Sequence, residues 1–178
     1  MKAIVIYKSE SGFTKRIAKR IANELGAEII PINVIKQIEL SEYDTVIYGG
    51  AVHAQRIIGL SKMKGILKKL DNPRVVVFAV GSASRDSFSI PIIKKHNLTE
   101  HEHKSIEFFY FRGGYDREKL TLSSRVIMSV VSVLVFRNLQ KKKPEFKDIL
   151  DIMENSADYT QTEDISPLIS YVMSGDFG

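Results

Sequence analysis

Three apolar runs set the strongest limit on what this chain can fold into: Ala3-Ile4-Val5-Ile6-Tyr7, Thr45-Val46-Ile47-Tyr48 and the stretch from Val75 to Val80. They are continuous rather than alternating. Strands covered on both faces read this way, and parallel sheets in α/β proteins are covered on both faces. Shorter runs at Glu28–Ile32 and Ile106–Phe111 complete a set of five. Helical patterns lie between them. Over residues 13–25, Phe13, Ile17, Ala18, Ile21, Ala22 and Leu25 share one face, while Lys15, Arg16, Lys19 and Arg20 share the other. Gly26 stands in the C′ position that closes such a helix. A second helix is expected over residues 57–70. Pro31 cannot donate to a ladder, which places the second strand at a sheet edge. Five strands with helical crossovers predict an α/β fold, a doubly wound parallel sheet of order 2-1-3-4-5 in three layers, α/β/α. The 178 residues suit one domain, expected over 1–163, with an extra basic and apolar segment at 112–143 and an acidic tail at 164–178.

In such sheets ligands bind beyond the carboxyl ends of the strands, at the switch between strands one and three. The small and polar residues gather there. Ser9-Glu10-Ser11-Gly12-Phe13-Thr14 turns from the first strand into the first helix. A helix N-terminus aims free N–H groups and a positive dipole end at this turn, and Ser9, Ser11 and Thr14 add hydroxyls. That suits a phosphate dianion. A capping loop with Ser11 as N-cap and no ligand is the alternative. A nucleoside triphosphate loop needs Lys where Phe13 stands, and the dinucleotide fingerprint needs three spaced glycines where only Gly12 occurs. The second loop, Gly49-Gly50-Ala51-Val52-His53-Ala54, can lie along a planar ring; its glycines would equally serve a tight strand exit. The third, Gly81-Ser82-Ala83-Ser84, can supply backbone and hydroxyl contacts. His53 is the candidate general base of this crevice.

Composition narrows the chemistry. The chain has no Cys, hence no disulfide, thiolate metal site or Cys nucleophile. His101-Glu102-His103 lacks zinc-type spacing and lies in a polar connector, so no metal is assigned. Tyr7-Lys8-Ser9-Glu10 lacks the paired carboxylates of a Mg²⁺-binding receiver domain. Residues 1–143 carry 25 Lys and Arg against 13 Asp and Glu, and residues 144–178 carry 1 against 8. A basic body suits either a merely soluble basic surface or attraction to anionic partners: an anionic membrane surface, an acidic small molecule or, least of all, nucleic acid, for which no recognition module is readable.

The loops and strand order resemble the flavodoxin family over roughly residues 1–112. Ser9–Thr14 has the form of its phosphate loop. The segment Tyr43-Asp44-Thr45-Val46-Ile47-Tyr48-Gly49-Gly50-Ala51-Val52-His53 and the basic-aromatic stretch Phe111-Arg112-Gly113-Gly114-Tyr115-Asp116-Arg117 resemble the flavodoxin-domain branch that contains the quinone-linked protoporphyrinogen oxidase (protoporphyrinogen dehydrogenase). The resemblance implies a flavodoxin-like fold with FMN as cofactor, its phosphate on the first loop, its ring beside the second and its pyrimidine edge at the third. A peptide flip at Gly49-Gly50 would then offer a carbonyl to the reduced ring. The implied activity is an FMN-dependent oxidoreductase that passes electrons from a reduced substrate to a quinone. A flavodoxin-type electron carrier docking to redox proteins is the alternative, and a flavin-free module of the same fold the third reading. Arg56, Arg112 and Arg117 are candidate anchors for substrate carboxylates. The chain departs from many flavodoxins in having no Trp to stack on the ring; His53 falls where that side chain would be.

The most hydrophobic stretch, Val126–Phe136, lies between Arg125 and Arg137, with Lys141-Lys142-Lys143 beyond. It is too short to span a membrane, which takes about 20 apolar residues. It reads as a core helix against the sheet, as a wall beside the flavin, or as a membrane-facing surface whose basic cluster meets anionic headgroups. The expected location is the cytoplasm, with peripheral contact at the inner face of the membrane.

Overall fold

The computed structural model describes residues 2–70, 73–85, 87, 89–115 and 157–175. The chain runs β1 (Ala3–Lys8), α1 (Phe13–Leu25), β2 (Glu28–Pro31), two 3₁₀ turns (Ile32–Gln37, Leu40–Glu42), β3 (Thr45–His53), β4 (Arg56–Ile57), α2 (Leu60–Leu67) and β5 (Arg74–Gly81). It continues through α3 (Ser89–Asn97), α4 (Glu102–Ser105), β6 (Ile106–Arg112) and β7 (Gly114–Tyr115). Beyond residue 156 come β8 (Ala157–Asp158) and α5 (Ser166–Ser174). Five strands form a parallel sheet in the order β2-β1-β3-β5-β6, and β4 pairs antiparallel with β3. The expected order thus holds once the short hairpin strand is counted. The proline strand β2 lies at the edge, where Pro31 pairs with Tyr7.

The continuous apolar runs divide between two cores. Side chains alternate across a strand. On β1, Ile4 and Ile6 face one cluster and Val5 the other; on β5, Val75, Val77 and Ala79 oppose Val76, Phe78 and Val80. The first cluster is closed by Leu60, Met63 and Leu67 of α2 and Ile93 of α3. The second is closed by Ile17 and Ile21 of α1 and by Leu168 and Val172 of α5. The acidic C-terminal segment therefore contributes a helix to the core: Leu168 and Val172 are fully buried. Each such side chain contributes about 1.5–3 kcal/mol through burial.

Helix α1 follows its sequence pattern. Its apolar face is buried, and Gly26 closes it in the left-handed conformation with Ala27 N–H on Ala22 O at 2.9 Å. Helix α2 is shorter than the expected 57–70, because Arg56 and Ile57 are taken into β4. Strand β3 runs five residues past Tyr48, through the glycines expected to form a loop. Among the described residues, no helix is long and apolar enough to cross a membrane. The 120–143 stretch, and with it the choice between core helix and membrane face, lies outside the described residues.

Candidate functional site

The first loop is built around Gly12. Its φ of +93° is left-handed, which only glycine adopts without strain, and it lets the chain enter α1 directly after the turn. Ser9 Oγ accepts the Gly12 N–H at 3.1 Å and stiffens the turn. The N-cap is Gly12, not Ser11, and no side chain caps the helix. The first N–H groups of α1 have no acceptor within the helix by its geometry, and its first turn holds no acidic residue. Thr14 is 1% exposed, and its hydroxyl lacks a hydrogen-bond partner. A buried orphaned hydroxyl costs about 1–3 kcal/mol. Free N–H groups, a positive dipole end and an unused hydroxyl form a donor set that fits a phosphate. A cavity of about 440 Å³ adjoins this loop on its β2 side, lined by Lys8, Ser9, Glu10 and Lys15, with Ile32 and Asn33 opposite.

The second loop differs from the expectation. Gly49 pairs with Tyr7 and Phe78, and Gly50 with Lys8 and Ala79. They are the last two pairs of the ladder to β1 and are followed by Ala51 on the ladder to β5, so a flip of the peptide between them would disturb strand pairing. Their glycine identity answers to packing instead. A Cβ on Gly49 would overlap the Phe78 ring, and one on Gly50 would lie 2.8 Å from Ile58 O. Past them, Ala51 and Val52 lead to His53, and the chain reverses through Ala54 and Gln55 into Arg56, which pairs with His53. Ala54 and Gln55 have φ of +46° and +66°. Two left-handed residues in succession make a type I′ turn, at about 1–2 kcal/mol for each non-glycine residue. His53 is half exposed, and its Nε2 lies 3.5 Å from Glu10 Oε2 of the first loop. Hairpin and first loop thus meet across the switch between β1 and β3. Arg56 is exposed beside them.

The third loop is held by its neighbours. Gly81 O accepts Gly113 N–H at 2.8 Å, and Tyr110 donates its hydroxyl to Ala83 O at 3.1 Å. Burial pushes the Tyr110 hydroxyl well above its ordinary value, so it remains a donor. Ser82 O accepts Arg112 Nε at 3.3 Å. The Arg112 guanidinium lies 3.8 Å from the centre of the Tyr159 ring. Arg112 is therefore engaged within the fold, whereas Arg56 reaches solvent; Arg117 lies outside the described residues. Ser84 accepts Ser87 N–H through its carbonyl.

Sequence reasoning missed the residues that brace these loops. Glu163 accepts Arg85 Nε at 2.7 Å and Arg112 N–H at 2.9 Å with one carboxylate oxygen. Arg20 donates to Thr160 O and Glu163 O at 2.6 and 2.8 Å. Arg16 pairs with Asp158 at 2.9 Å. Burial pushes the Asp158 carboxyl up, but bonds from Thr160 and the Arg16 charge outweigh it and hold it below its ordinary value. The opposed charges of body and C-terminal segment were the available signal, since the acids of the one take the arginines of the other. Glu102 is spent on Lys64 at 2.6 Å and on Thr99.

Comparison with known proteins adds a family. The family described as Flavodoxin domain matches residues 4–144. A flavodoxin from the domain Archaea is 20% identical over 70% of this chain and 92% of its own, with a TM-score of 0.44. Flavodoxin 2 from Bacillus cereus, in its oxidised form, is 21% identical over 67% of this chain and 90% of its own, with a TM-score of 0.48. A flavoprotein from Lactobacillus acidophilus, in complex with FMN, is 16% identical over 62% and 92%, with a TM-score of 0.42. No curated protein matches the chain.

Proposed function

This chain belongs to the flavodoxin-domain family, and we propose that it is an FMN-dependent oxidoreductase passing electrons from a reduced small-molecule substrate to a quinone. The observation that carries the cofactor is the uncapped start of α1, where Thr14 has a buried hydroxyl with no partner. FMN, when bound, supplies the redox chemistry; the protein supplies binding, orientation and electrostatics. The Gly12 turn and Thr14 would bind the phosphate. The β3–β4 hairpin would flank the ring, with His53 in place of an aromatic cover, and the third loop would meet the pyrimidine edge.

The finer reading is a protoporphyrinogen dehydrogenase-like enzyme. A porphyrinogen carries carboxylates, and Arg56 is exposed beside His53 where one could dock. Arg112 and Arg117 are the further candidates. The net charge of +5 favours an acidic substrate over the docking of a basic redox protein. A quinone dissolves in lipid, so segment 120–143 would bring the protein to an anionic membrane at its cytoplasmic face through salt-sensitive, reversible contact.

The absorption spectrum of the purified protein, with mass identification of any released flavin, tests the cofactor. Turnover of a carboxylated porphyrinogen with a quinone as acceptor tests the enzyme. Bound FMN that cycles with a reductase but never turns over a porphyrinogen would make the protein a carrier. A colourless protein that takes up no added FMN would make it a flavin-free module. Flotation with anionic but not neutral vesicles is the expected membrane result; equal recovery with both would remove that contact.

A further inference from the structure

The β3–β4 turn lacks the residues its geometry favours, and beyond the flanking pairs His53–Arg56 and Val52–Ile57 it is fastened from outside the hairpin. Two-residue hairpins of this type favour Asn-Gly, because both positions need positive φ. Here the positions are Ala54 and Gln55, and both are left-handed nonetheless. What holds them comes from the end of α3. Asn97 Oδ1 accepts the Ile57 N–H at 2.8 Å, and Asn97 Nδ2 donates to Gln55 O at 2.6 Å and to Ile93 O at 2.7 Å. One side-chain amide thus fastens both sides of the turn and ties them to the helix. Its own backbone is fixed in turn: Asn97 O accepts Lys64 Nζ, which also binds Glu102, and Glu102 accepts the Thr99 N–H at 2.8 Å.

We propose that Asn97 is a positioning residue for the ring side of the cofactor site, acting through the hairpin that carries His53. The proposal rests on the FMN reading. His53 immediately precedes the turn and lies against Glu10 of the phosphate loop. Loss of the Asn97 amide leaves Gln55 O and Ile57 N–H without this partner. The left-handed residues then relax, and His53 moves with them. The phosphate donors sit on α1, which packs on the other face of the sheet and has no contact with Asn97 among the bonds above. Damage from Asn97 should therefore fall on the ring half of the cofactor and spare the phosphate half.

The experiment measures the affinity of the full chain for FMN and for riboflavin, with the visible spectrum of each complex. Wild type should bind FMN more tightly than riboflavin. Asn97→Ala should weaken both by a similar factor, roughly tenfold, and shift the flavin bands as the ring environment changes. Asn97→Asp keeps the acceptor for Ile57 N–H but loses the donor to Gln55 O and Ile93 O and sets a carboxylate oxygen against both carbonyls; it should weaken both flavins as Asn97→Ala does and serves if the alanine variant does not fold. Ala54→Asn with Gln55→Gly, placed in the Asn97→Ala background, makes the turn self-sufficient and should restore both affinities. General loss of stability would not be rescued at two turn residues. Unchanged affinities and spectra in Asn97→Ala, a loss confined to FMN, or failure of the turn to rescue would each overturn the proposal. Wild-type protein that binds no flavin, or both flavins equally, would instead overturn the FMN reading on which it stands.

Discussion

Arg16 Nε donates to Thr160 Oγ1 at 3.1 Å across 144 residues of sequence, so the helix that opens at Gly12 is clasped by the segment beyond residue 156. The same guanidinium pairs with Asp158 and lies over the Phe13 ring, 4.8 Å from its centre. Phe13 in turn packs beneath Gly113 and Gly114. The N-terminal end of α1 is thus part of a joint with residues beyond 156.

Stability should respond to pH through that joint. The Asp158 carboxyl is held below its ordinary value, so it contributes stability above its unfolded-state value and loses it as pH falls through the folded one. Urea midpoints of wild type should drop as pH is lowered through the acid range, and Asp158→Asn should show a shallower drop. At neutral pH the substitution should cost about 0.5–1 kcal/mol, because the pair is partly exposed and screened. Parallel pH curves for the two proteins would contradict this.

Thr14→Val should act in opposite directions with and without ligand. It removes an orphaned hydroxyl and keeps the shape, so the flavin-free protein should be unchanged or stabilised by up to about 1 kcal/mol. FMN affinity should weaken by about 1–3 kcal/mol while riboflavin affinity stays put. Thermal melts and calorimetry on one preparation read both effects.

Gly49→Ala should be poorly tolerated, since its Cβ would enter the space of the Phe78 ring. The expected cost is about 1–3 kcal/mol, typical of overpacking a dense core. Phe78→Leu should recover part of it in the double mutant, and a double-mutant cycle in denaturant would expose the coupling. A strand-exit glycine would show no such coupling.

Leu168→Ala should cost about 2–5 kcal/mol, the range for a buried leucine whose site collapses only in part. The expectation follows from its full burial in the cluster shared with α1. An unchanged melting temperature would mean that α5 adds nothing to the fold.

The sheet was legible because its signal is local. Runs such as Ala3–Tyr7 need only their own residues to announce burial on both faces, and Pro31 alone marks the edge. The first loop was legible for the same reason. The second was misread as a loop because Gly49-Gly50 carries turn chemistry; the Phe78 ring that demands glycine there comes from another strand, and periodicity is blind to it. The I′ turn was invisible because Ala54-Gln55 lacks the favoured residues and borrows its geometry from Asn97. Helix α5 hid within a stretch read for its acidity, although Leu168 and Val172 are spaced four apart, as one helical face requires.

Strands β7 and β8 pair antiparallel, with Tyr115 opposite Ala157 and Gly114 opposite Asp158. Tyr115 and Ala157 are therefore neighbours although far apart in sequence, and one short ladder joins the end of β6 to the approach to α5. The last helix is thus fastened to the sheet by backbone pairing as well as by its buried side chains, so a break at this ladder would loosen α5 without touching the core residues themselves.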